Sequence, residues 1–301
     1  MSKGAETPLG GVLNVDKPAG WTSHDVVGRV RRLAGLRQVG HAGTLDPMAT
    51  GVLVLCLGKA TRLLEYLSGQ PKTYLAGVTL GATTDTYDAE GEVVDCQPVP
   101  ALDAAQIDQA LDAFRGEIMQ RPPAYSALKR DGVALYKRAR AGEAVEVEPR
   151  PVTIYQLDLL AFDGQAVQLR IRCGAGTYVR SIAHDLGQAL GCGGHLSALR
   201  RTAVGNFTVD SAVTPEKLAE PGALAAALLP ADAAVAHLPR LDVSEAEAGR
   251  LLHGQAIAAA SSAPAGPARA YAGDHIFLGI VAIDPQHRLA RPHKMLAGAA
   301  N

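Results

Sequence analysis

The most constraining feature of this 301-residue sequence is a glycine- and proline-rich segment, residues 40–51 (GHAGTLDPMATG), that runs directly into the apolar residues 52–57. Three glycines and one proline within twelve residues fit neither a helix nor a central strand, so the segment is predicted to be an ordered loop. Residues 52–57 predict a buried strand. Loops fixed to a rigid strand often hold catalytic groups. The following Pro47 restricts Asp46 to extended conformations. Asp46 is therefore a candidate catalytic residue, although spacing alone favours a residue that only caps a turn.

The remaining local patterns predict an α+β fold. Residues 11–16, 52–57 and 74–80 read as strands, and residues 152–162 and 166–173 as a hairpin around Asp163-Gly164. Helices are predicted after a cap at Thr22 or Ser23, over residues 60–67, after a cap at Asp103, and over residues 177–190. Because strands and helices mix without a regular βαβ period, a doubly wound sheet is less favoured than an α+β domain.

The chain length suggests about two domains. Residues 219–236 are rich in alanine and contain two prolines, and short strand candidates follow at residues 255–258, 270–272 and 276–283. We therefore place a domain boundary near residue 235, with one domain over residues 1–235 and a small β-rich domain over residues 236–301. Within the first domain, residues 120–150 are polar, basic and interrupted by proline, which predicts an exposed excursion.

The formal net charge of −1 conceals an uneven distribution of charge. Residues 17–72 hold eight lysines and arginines against three acidic residues, and residues 170–201 hold five arginines against one aspartate. Residues 210–260 are predominantly acidic. Segregation of this kind can give one face of a protein a positive potential that attracts phosphates. The alternative is that these runs are ordinary solvated helix faces.

Several classes of protein are disfavoured by what the sequence lacks. No apolar run approaches the ~20 residues that span a bilayer, and residues 1–10 lack the apolar core of a signal peptide. The four scattered cysteines favour a reducing, cytoplasmic location. The glycine-rich residues 191–195 follow a predicted helix rather than a strand, and Cys192 and His195 lack further ligands at zinc spacing. We therefore expect neither a metal nor an organic cofactor, and no membrane association.

Residues 40–51 resemble the catalytic-aspartate motif of the bacterial tRNA pseudouridine-55 synthases, the TruB family. The resemblance continues, in order, through residues 16–25, 72–74, 84–88, 123–129, 176–181 and 199–202, and so covers about residues 11–210. More weakly, the C-terminal part resembles a PUA domain, a small RNA-binding β-barrel. The resemblance implies a pseudouridine synthase fold with a mixed, largely antiparallel sheet flanked by helices. It also implies isomerisation of the T-loop uridine of tRNA, position 55, by base flipping.

The same resemblance assigns roles to the residues around the base. Asp46 is implied to be the nucleophile or base, and Arg180 the arginine that pairs with it. Tyr74 matches a tyrosine that stacks on the target base, whereas Tyr178 and Leu199 match positions that line the uracil pocket. Without the resemblance, Arg180 would be interpreted as an ordinary arginine on a helix face. The two tyrosines and Leu199 would be interpreted as core residues.

Other residues are implied to contact or support the RNA. His41 matches a histidine that enters the T-loop where the uridine was displaced, and Asp88 an acidic residue that contacts the RNA backbone or the extruded nucleotides. Lys17 is expected to support the site rather than react. The segment 121–150 matches an insertion that closes over the RNA stem-loop, with phosphate contacts from basic side chains. These are Lys129, Arg130, Lys137, Arg138 and Arg140.

The conversion of uridine to pseudouridine is compatible with a single catalytic carboxylate. The N1–C1′ bond of uridine must break, the base must rotate, and C5 must bond to C1′ without water intervening. Hydrolytic glycosidases need two carboxylates because one of them acts on water or on C1′. Burial beneath a flipped base would raise the pKa of Asp46, and a nearby guanidinium would counter that effect. Whether Asp46 attacks C1′ or C6, or removes a ribose proton, stays open.

Two alternatives stay open as well. The basic segments and the PUA-like tail would also suit an RNA-binding folding chaperone of tRNA in which catalysis is secondary. A guide-RNA-dependent relative that modifies ribosomal RNA is the other alternative, disfavoured by the insertion at residues 121–150. For either tRNA function we expect a monomer with no obligatory protein partner.

Overall fold

The computed structural model describes residues 10–123, 129–130, 133–134, 147–273 and 275–296. Their strands are β1 (Gly11–Lys17), β2 (Val39–His41), β3 (Thr50–Leu57), β4 (Lys72–Leu80), β5 (Ala82–Thr84), β6 (Val93–Cys96), β7 (Gly116–Gln120), β8 (Lys129–Arg130), β9 (Val133–Ala134), β10 (Arg150–Phe162), β11 (Ala166–Cys173), β12 (Gly194–Val204), β13 (Phe207–Thr208), β14 (Arg240–Val243), β15 (Ile257–Ala258), β16 (Gly266–Ala272), β17 (Ile276–Asp284) and β18 (Leu289–Met295). The α-helices are α1 (Ser23–Ala34), α2 (Leu64–Ser68), α3 (Ala104–Leu111), α4 (Val179–Ala189), α5 (Ala223–Ala227) and α6 (Glu245–Leu252). Short 3₁₀ turns cover Gly58–Leu63, Asp112–Phe114, Val209–Ser211, Lys217–Ala219 and Ala231–Val235.

A nine-stranded sheet is the centre of the described fold. Seven of its strands lie in the order β1-β3-β12-β4-β11-β10-β7, while β2 pairs with β3 and β13 with β12. β3 and β12 pair in parallel, and the other neighbours pair antiparallel. The mixed, largely antiparallel sheet expected from the sequence is thus confirmed. α3 and α4 pack on one face of it, over an apolar cluster that includes residues of β4, β11 and β12.

The sequence pattern of α1 shows why this chain folds as predicted here. Thr22 is the N-cap, and its side chain and that of Asp25 form a reciprocal capping box. Val26, Val27 and Val30 share the buried face. Gly35 ends the helix in the left-handed conformation, with φ of 64°, which glycine adopts without steric cost.

Other elements differ from the predictions. Residues 60–67, predicted as one helix, form a 3₁₀ turn followed by the short α2. The helix predicted over residues 177–190 begins at Val179, with Tyr178 at its N-cap. The central strand β12 was not predicted at all. Two register irregularities against β4, at Leu196/Ala198 and Arg201/Ala203, break the alternation of buried and exposed side chains that would have indicated a strand.

The C-terminal part forms a second, five-stranded sheet in the order β14-β16-β17-β18-β15, around its own apolar core. This sheet is consistent with the expected PUA-like domain. It contacts the 3₁₀ turn and α2 that follow β3, since Lys294 Nζ lies 2.7 Å from Glu65 Oε1 and Arg62 donates a hydrogen bond of 2.6 Å to the Met295 carbonyl. The boundary near residue 235 stays a prediction. Within the described ranges, no helix is long and apolar enough to cross a membrane.

Candidate active site

The loop between β2 and β3 contains Asp46, and residues next to Asp46 are fixed by buried polar contacts. Leu45 donates its N–H to Ser23 Oγ at 2.8 Å, and Ser23 donates to the Leu45 carbonyl at 3.2 Å. On the other side, the Pro47 carbonyl accepts hydrogen bonds from the Gly20 N–H at 2.9 Å and from Lys17 Nζ at 3.1 Å. The backbone on each side of Asp46 therefore has a defined position.

Arg201 holds both ends of the same loop. Its side chain is 1% exposed, and it donates to the Val52 carbonyl at 2.7 Å and the Gly43 carbonyl at 3.0 Å. β12 approaches β3 so closely here that a Cβ on Gly51 would lie 2.2 Å from the Arg201 carbonyl oxygen, which explains the glycine. The sequence interpretation missed Arg201 because β12 itself was not predicted.

Arg180, on the first turn of α4, joins two aspartates. Its Nε lies 3.1 Å from Asp46 Oδ2, and one terminal nitrogen lies 3.1 Å from Asp88 Oδ2. The same nitrogen donates to the Thr86 carbonyl at 3.2 Å. The Arg180 and Asp88 side chains are only 7% and 4% exposed, whereas that of Asp46 is 35% exposed. Asp46 is thus the accessible end of an otherwise buried ionic network.

The charges around Asp46 oppose one another. Burial is the largest influence and raises the pKa of Asp46, while Arg180 lowers it and the charge of Asp88 raises it. Lys17 and Arg201 also lower it, and the net direction is upward. The guanidinium therefore reduces the effect of burial on the Asp46 pKa without cancelling it.

Lys17 is completely buried beside the loop. Besides the Pro47 carbonyl, its ammonium donates to the carbonyls of Pro18 at 2.9 Å and Trp21 at 2.5 Å. Burial lowers the pKa of Lys17 to about 8, although the charge of Asp46 acts in the opposite direction. This placement agrees with a supporting role, because no part of the side chain is accessible to a ligand.

An apolar wall lies next to the network. Tyr74 on β4 and Leu199 on β12 are each 8% exposed and belong to the same cluster as Leu45 and Val179. Burial raises the pKa of the Tyr74 hydroxyl, and the nearby Arg201 guanidinium acts in the opposite direction. Two residues before Arg180, Tyr178 donates its N–H to Gln120 Oε1 at 2.8 Å, which ties the start of α4 to β7.

Two further candidates have contrasting positions. His41 ends β2, its ring lies 5.8 Å edge-to-face from that of His24, and its Nδ1 is buried without a hydrogen-bond partner in the described structure. Burial lowers the His41 pKa. Asp88 directs its carboxylate at Arg180 and at the Thr86 hydroxyl, the latter at 2.7 Å, and its expected contact with RNA stays a prediction.

The insertion predicted at residues 121–150 falls largely outside the described residues. Residues 121–123 and 147–150 are described, together with the backbone of β8 and β9. The side chains of Lys129, Arg130, Lys137, Arg138 and Arg140 lie outside the described part of the structure. Where side chains are described, no three His, Cys, Asp or Glu residues are placed to hold a metal ion.

Comparison with known proteins identifies the family. The tRNA pseudouridine synthase B of Arthrobacter sp. (strain FB24) is 49% identical, over 91% of this chain and 93% of that protein. The protein of the same name from Azoarcus sp. (strain BH72) is 48% identical, over 95% of each chain. Residues 31–179 match the TruB family pseudouridylate synthase N-terminal domain, and residues 180–236 and 239–295 match two TruB C-terminal domains. The chain belongs to the TruB family.

The TruB fold is also found in solved structures. A chain in the crystal structure of a Cbf5-Nop10-Gar1 complex is 28% identical, with a TM-score of 0.75 over 97% of this chain and 86% of that chain. Membership of the TruB family makes this protein a pseudouridine synthase, which is an isomerase. The resemblance of its sequence motifs to that family had indicated the same activity. Its central sheet is the pseudouridine synthase fold, and its C-terminal sheet is PUA-like.

Proposed function

We propose that this enzyme converts the T-loop uridine of tRNA, position 55, to pseudouridine by base flipping, with Asp46 as nucleophile or base. The relatives that match more than nine-tenths of the chain are named tRNA pseudouridine synthase B, which supports tRNA as the substrate. The observation that supports Asp46 most directly is its contact of 3.1 Å with Arg180 while its side chain remains 35% exposed. The partly accessible Asp46 can meet a substrate, whereas Asp88 and Lys17 are enclosed.

The proposed reaction begins with the uridine out of the base stack. An everted base stacked on Tyr74 gains about 1–3 kcal/mol, which offsets part of the cost of extrusion. Leu199 and Tyr178 complete the apolar walls of the proposed pocket. A base that fills this space excludes water, so that cleavage of the N1–C1′ bond does not lead to hydrolysis.

Isomerisation then needs one carboxylate. The N1–C1′ bond breaks, the retained base rotates, and C5 forms the new bond to C1′. The proton lost from C5 is balanced by the proton gained at N1, so that substrate and product have the same composition. Arg180 favours the ionised form of the Asp46 carboxylate and orients it, and the contacts of Lys17, Ser23 and Arg201 hold the backbone of the loop around Asp46.

The remaining residues are assigned to binding and support. His41 is proposed to occupy the space that the displaced uridine leaves in the T-loop, and the insertion at residues 121–150 to contact the stem-loop phosphates. We assign Asp88 to holding Arg180, because its carboxylate is buried against that residue. With RNA as its partner, the enzyme is proposed to act as a cytoplasmic monomer without a cofactor.

Incubation of the purified chain with an isolated T-arm stem-loop tests this function. Mass spectrometry of the digested RNA should locate pseudouridine at the position equivalent to 55, and a stem-loop with cytidine at that position should remain unmodified. Full conversion without added RNA or protein is expected. A requirement for a guide RNA or a protein partner, or modification at another uridine, would contradict the proposal. Binding without any conversion would favour the chaperone alternative.

A further inference from the structure

The turn between β5 and β6 holds Arg180 from the side opposite Asp46. Within residues 84–88 of this turn, the Thr86 carbonyl and the Asp88 carboxylate both accept hydrogen bonds from one Arg180 nitrogen, at 3.2 and 3.1 Å. The position of this turn therefore determines where the guanidinium lies. Because Arg180 also contacts Asp46, a shift of the turn would reach the candidate catalytic carboxylate.

Tyr87, between these two Arg180 contacts, has an unusual backbone conformation. Its φ is 66°, in the left-handed region that costs free energy for any residue with a Cβ. Its backbone is paired with β12, where the Leu196 N–H donates to the Tyr87 carbonyl at 2.9 Å. A bulky residue in this conformation persists only where its surroundings stabilise it.

The Tyr87 side chain supplies such a contact. Its ring stacks on the imidazole of His184, with centroids 3.8 Å apart and planes 12° from parallel. His184 lies one turn beyond Arg180 on α4. The buried Nδ1 of His184 has no hydrogen-bond partner in the described parts of the chain, so no hydrogen bond through that nitrogen orients the ring. α4 thus contacts the turn at two points, through Arg180 and through His184.

We propose that the stacked rings of Tyr87 and His184 position the Thr86–Asp88 turn against Arg180, and that Tyr87 is a positioning residue for the reaction at Asp46. The expected effect of Tyr87 on the reaction rests on the proposed function, in which Asp46 is the nucleophile or base. The stack is assigned no chemical step of the reaction. It acts by fixing the two acceptors that hold the guanidinium.

Three substitutions at Tyr87 separate the stack from the backbone strain. Phenylalanine keeps the ring, alanine removes the ring but keeps the unfavourable φ, and glycine removes the ring and relieves the φ. We expect Y87F to retain the wild-type single-turnover rate. Both Y87A and Y87G should be slower by about tenfold to a hundredfold, the effect of a small misplacement of a catalytic group, with T-arm binding nearly unchanged. Y87G should unfold at a higher temperature than Y87A.

The pH dependence of the rate gives a second readout. The charged groups that act on Asp46 are Arg180, Asp88, Lys17, Arg201 and Glu90. Of these, Arg180 is the strongest influence that favours the ionised carboxylate. If Y87A and Y87G displace Arg180, the acidic limb of the rate profile moves to higher pH, whereas Y87F leaves it in place. Tyr155 on β10 provides a control, because its ring is exposed and its only described ring contact is the Arg172 guanidinium of β11, 5.2 Å away; Y155A should match the wild type.

A third readout does not depend on activity. The NMR signal of the Arg180 Nε–H reports its ion pair with Asp46, and it should shift in Y87A and Y87G but not in Y87F. If Asp46→Asn proves fully active, the proposed function fails, yet this signal still tests the positioning of Arg180. A wild-type rate, rate profile and Arg180 signal in Y87G would overturn the positioning role. So would a Y87F variant that is as slow as Y87A.

Discussion

Replacement of Arg180 by lysine tests the ionic network at its centre. A lysine ammonium cannot reach Asp46 and Asp88 together in the way that the guanidinium does, at 3.1 Å to each. If the ammonium contacts Asp46, the 4%-exposed Asp88 loses its charged partner, and breaking a buried pair costs about 3–5 kcal/mol. Asp88 still accepts hydrogen bonds from Thr86 and the Glu90 N–H, so we expect the lower end of this range.

Arg115 offers a matched control for R180K. It also contacts two aspartates, Asp108 and Asp112, and donates to a backbone carbonyl, that of Leu157, but its side chain is 34% exposed. An ion pair screened by solvent contributes about 0–1 kcal/mol, so R115K should change the free energy of unfolding by less than 1 kcal/mol. Urea unfolding of both variants against the wild type measures the difference.

The same pair of variants tests the chemistry. A lysine ammonium that pairs with Asp46 keeps a positive charge beside that carboxylate, so the acidic limb of the rate profile should move little. R180K should lower the single-turnover rate by about 10²-fold through misplacement of the carboxylate. The reasoning is refuted if R180K unfolds like R115K, or if its single-turnover rate equals that of the wild type.

Two other predictions concern stability rather than chemistry. Burial lowers the pKa of Lys72 to about 8, so between about pH 8 and 10.5 the unfolded chain binds more protons than the folded chain, and Lys72 should make the free energy of unfolding rise with pH over that range. Urea unfolding of K72M should therefore show a smaller rise than that of the wild type. An equal rise would contradict the burial argument. The Tyr271 hydroxyl donates a hydrogen bond to the Asp232 carboxylate at 2.6 Å. Its loss in Y271F should lower the free energy of unfolding by about 1 kcal/mol, measured by thermal or urea unfolding. An unchanged free energy of unfolding would exclude a stabilising hydrogen bond.

Elements with strong local signals could be predicted from the sequence. A cap at Thr22 or Ser23, the apolar spacing of α1 and the turn at Asp163-Gly164 are short-range features, and the structure confirms all three, with Thr22 as the cap. The loop containing Asp46 was recognisable for the same reason, since its glycines and proline exclude regular structure. The simultaneous contact of Arg180 with Asp46 and Asp88 could not be recognised from local sequence, because Asp88 lies 92 residues away from Arg180 in the chain.

Elements defined by long-range pairing were missed. β12 lies between β3 and β4 in the sheet, and its register irregularities obscure its period. Its Arg201 is buried among backbone carbonyls rather than beside an acid, and a sequence pattern does not distinguish such an arginine from one on the surface. Likewise, nothing in the local sequence indicated that Tyr87 would adopt a left-handed conformation against His184.

The most direct test of the account is the activity of Asp46→Asn on the T-arm stem-loop under single-turnover conditions, with RNA binding measured in the same samples. Asparagine keeps the size of the side chain and removes its charge. The account predicts a rate at least about 10³-fold below that of the wild type, with RNA affinity changed little, since the lost group acts in the reaction itself. Conversion at the wild-type rate by a variant that binds normally would contradict the central claim.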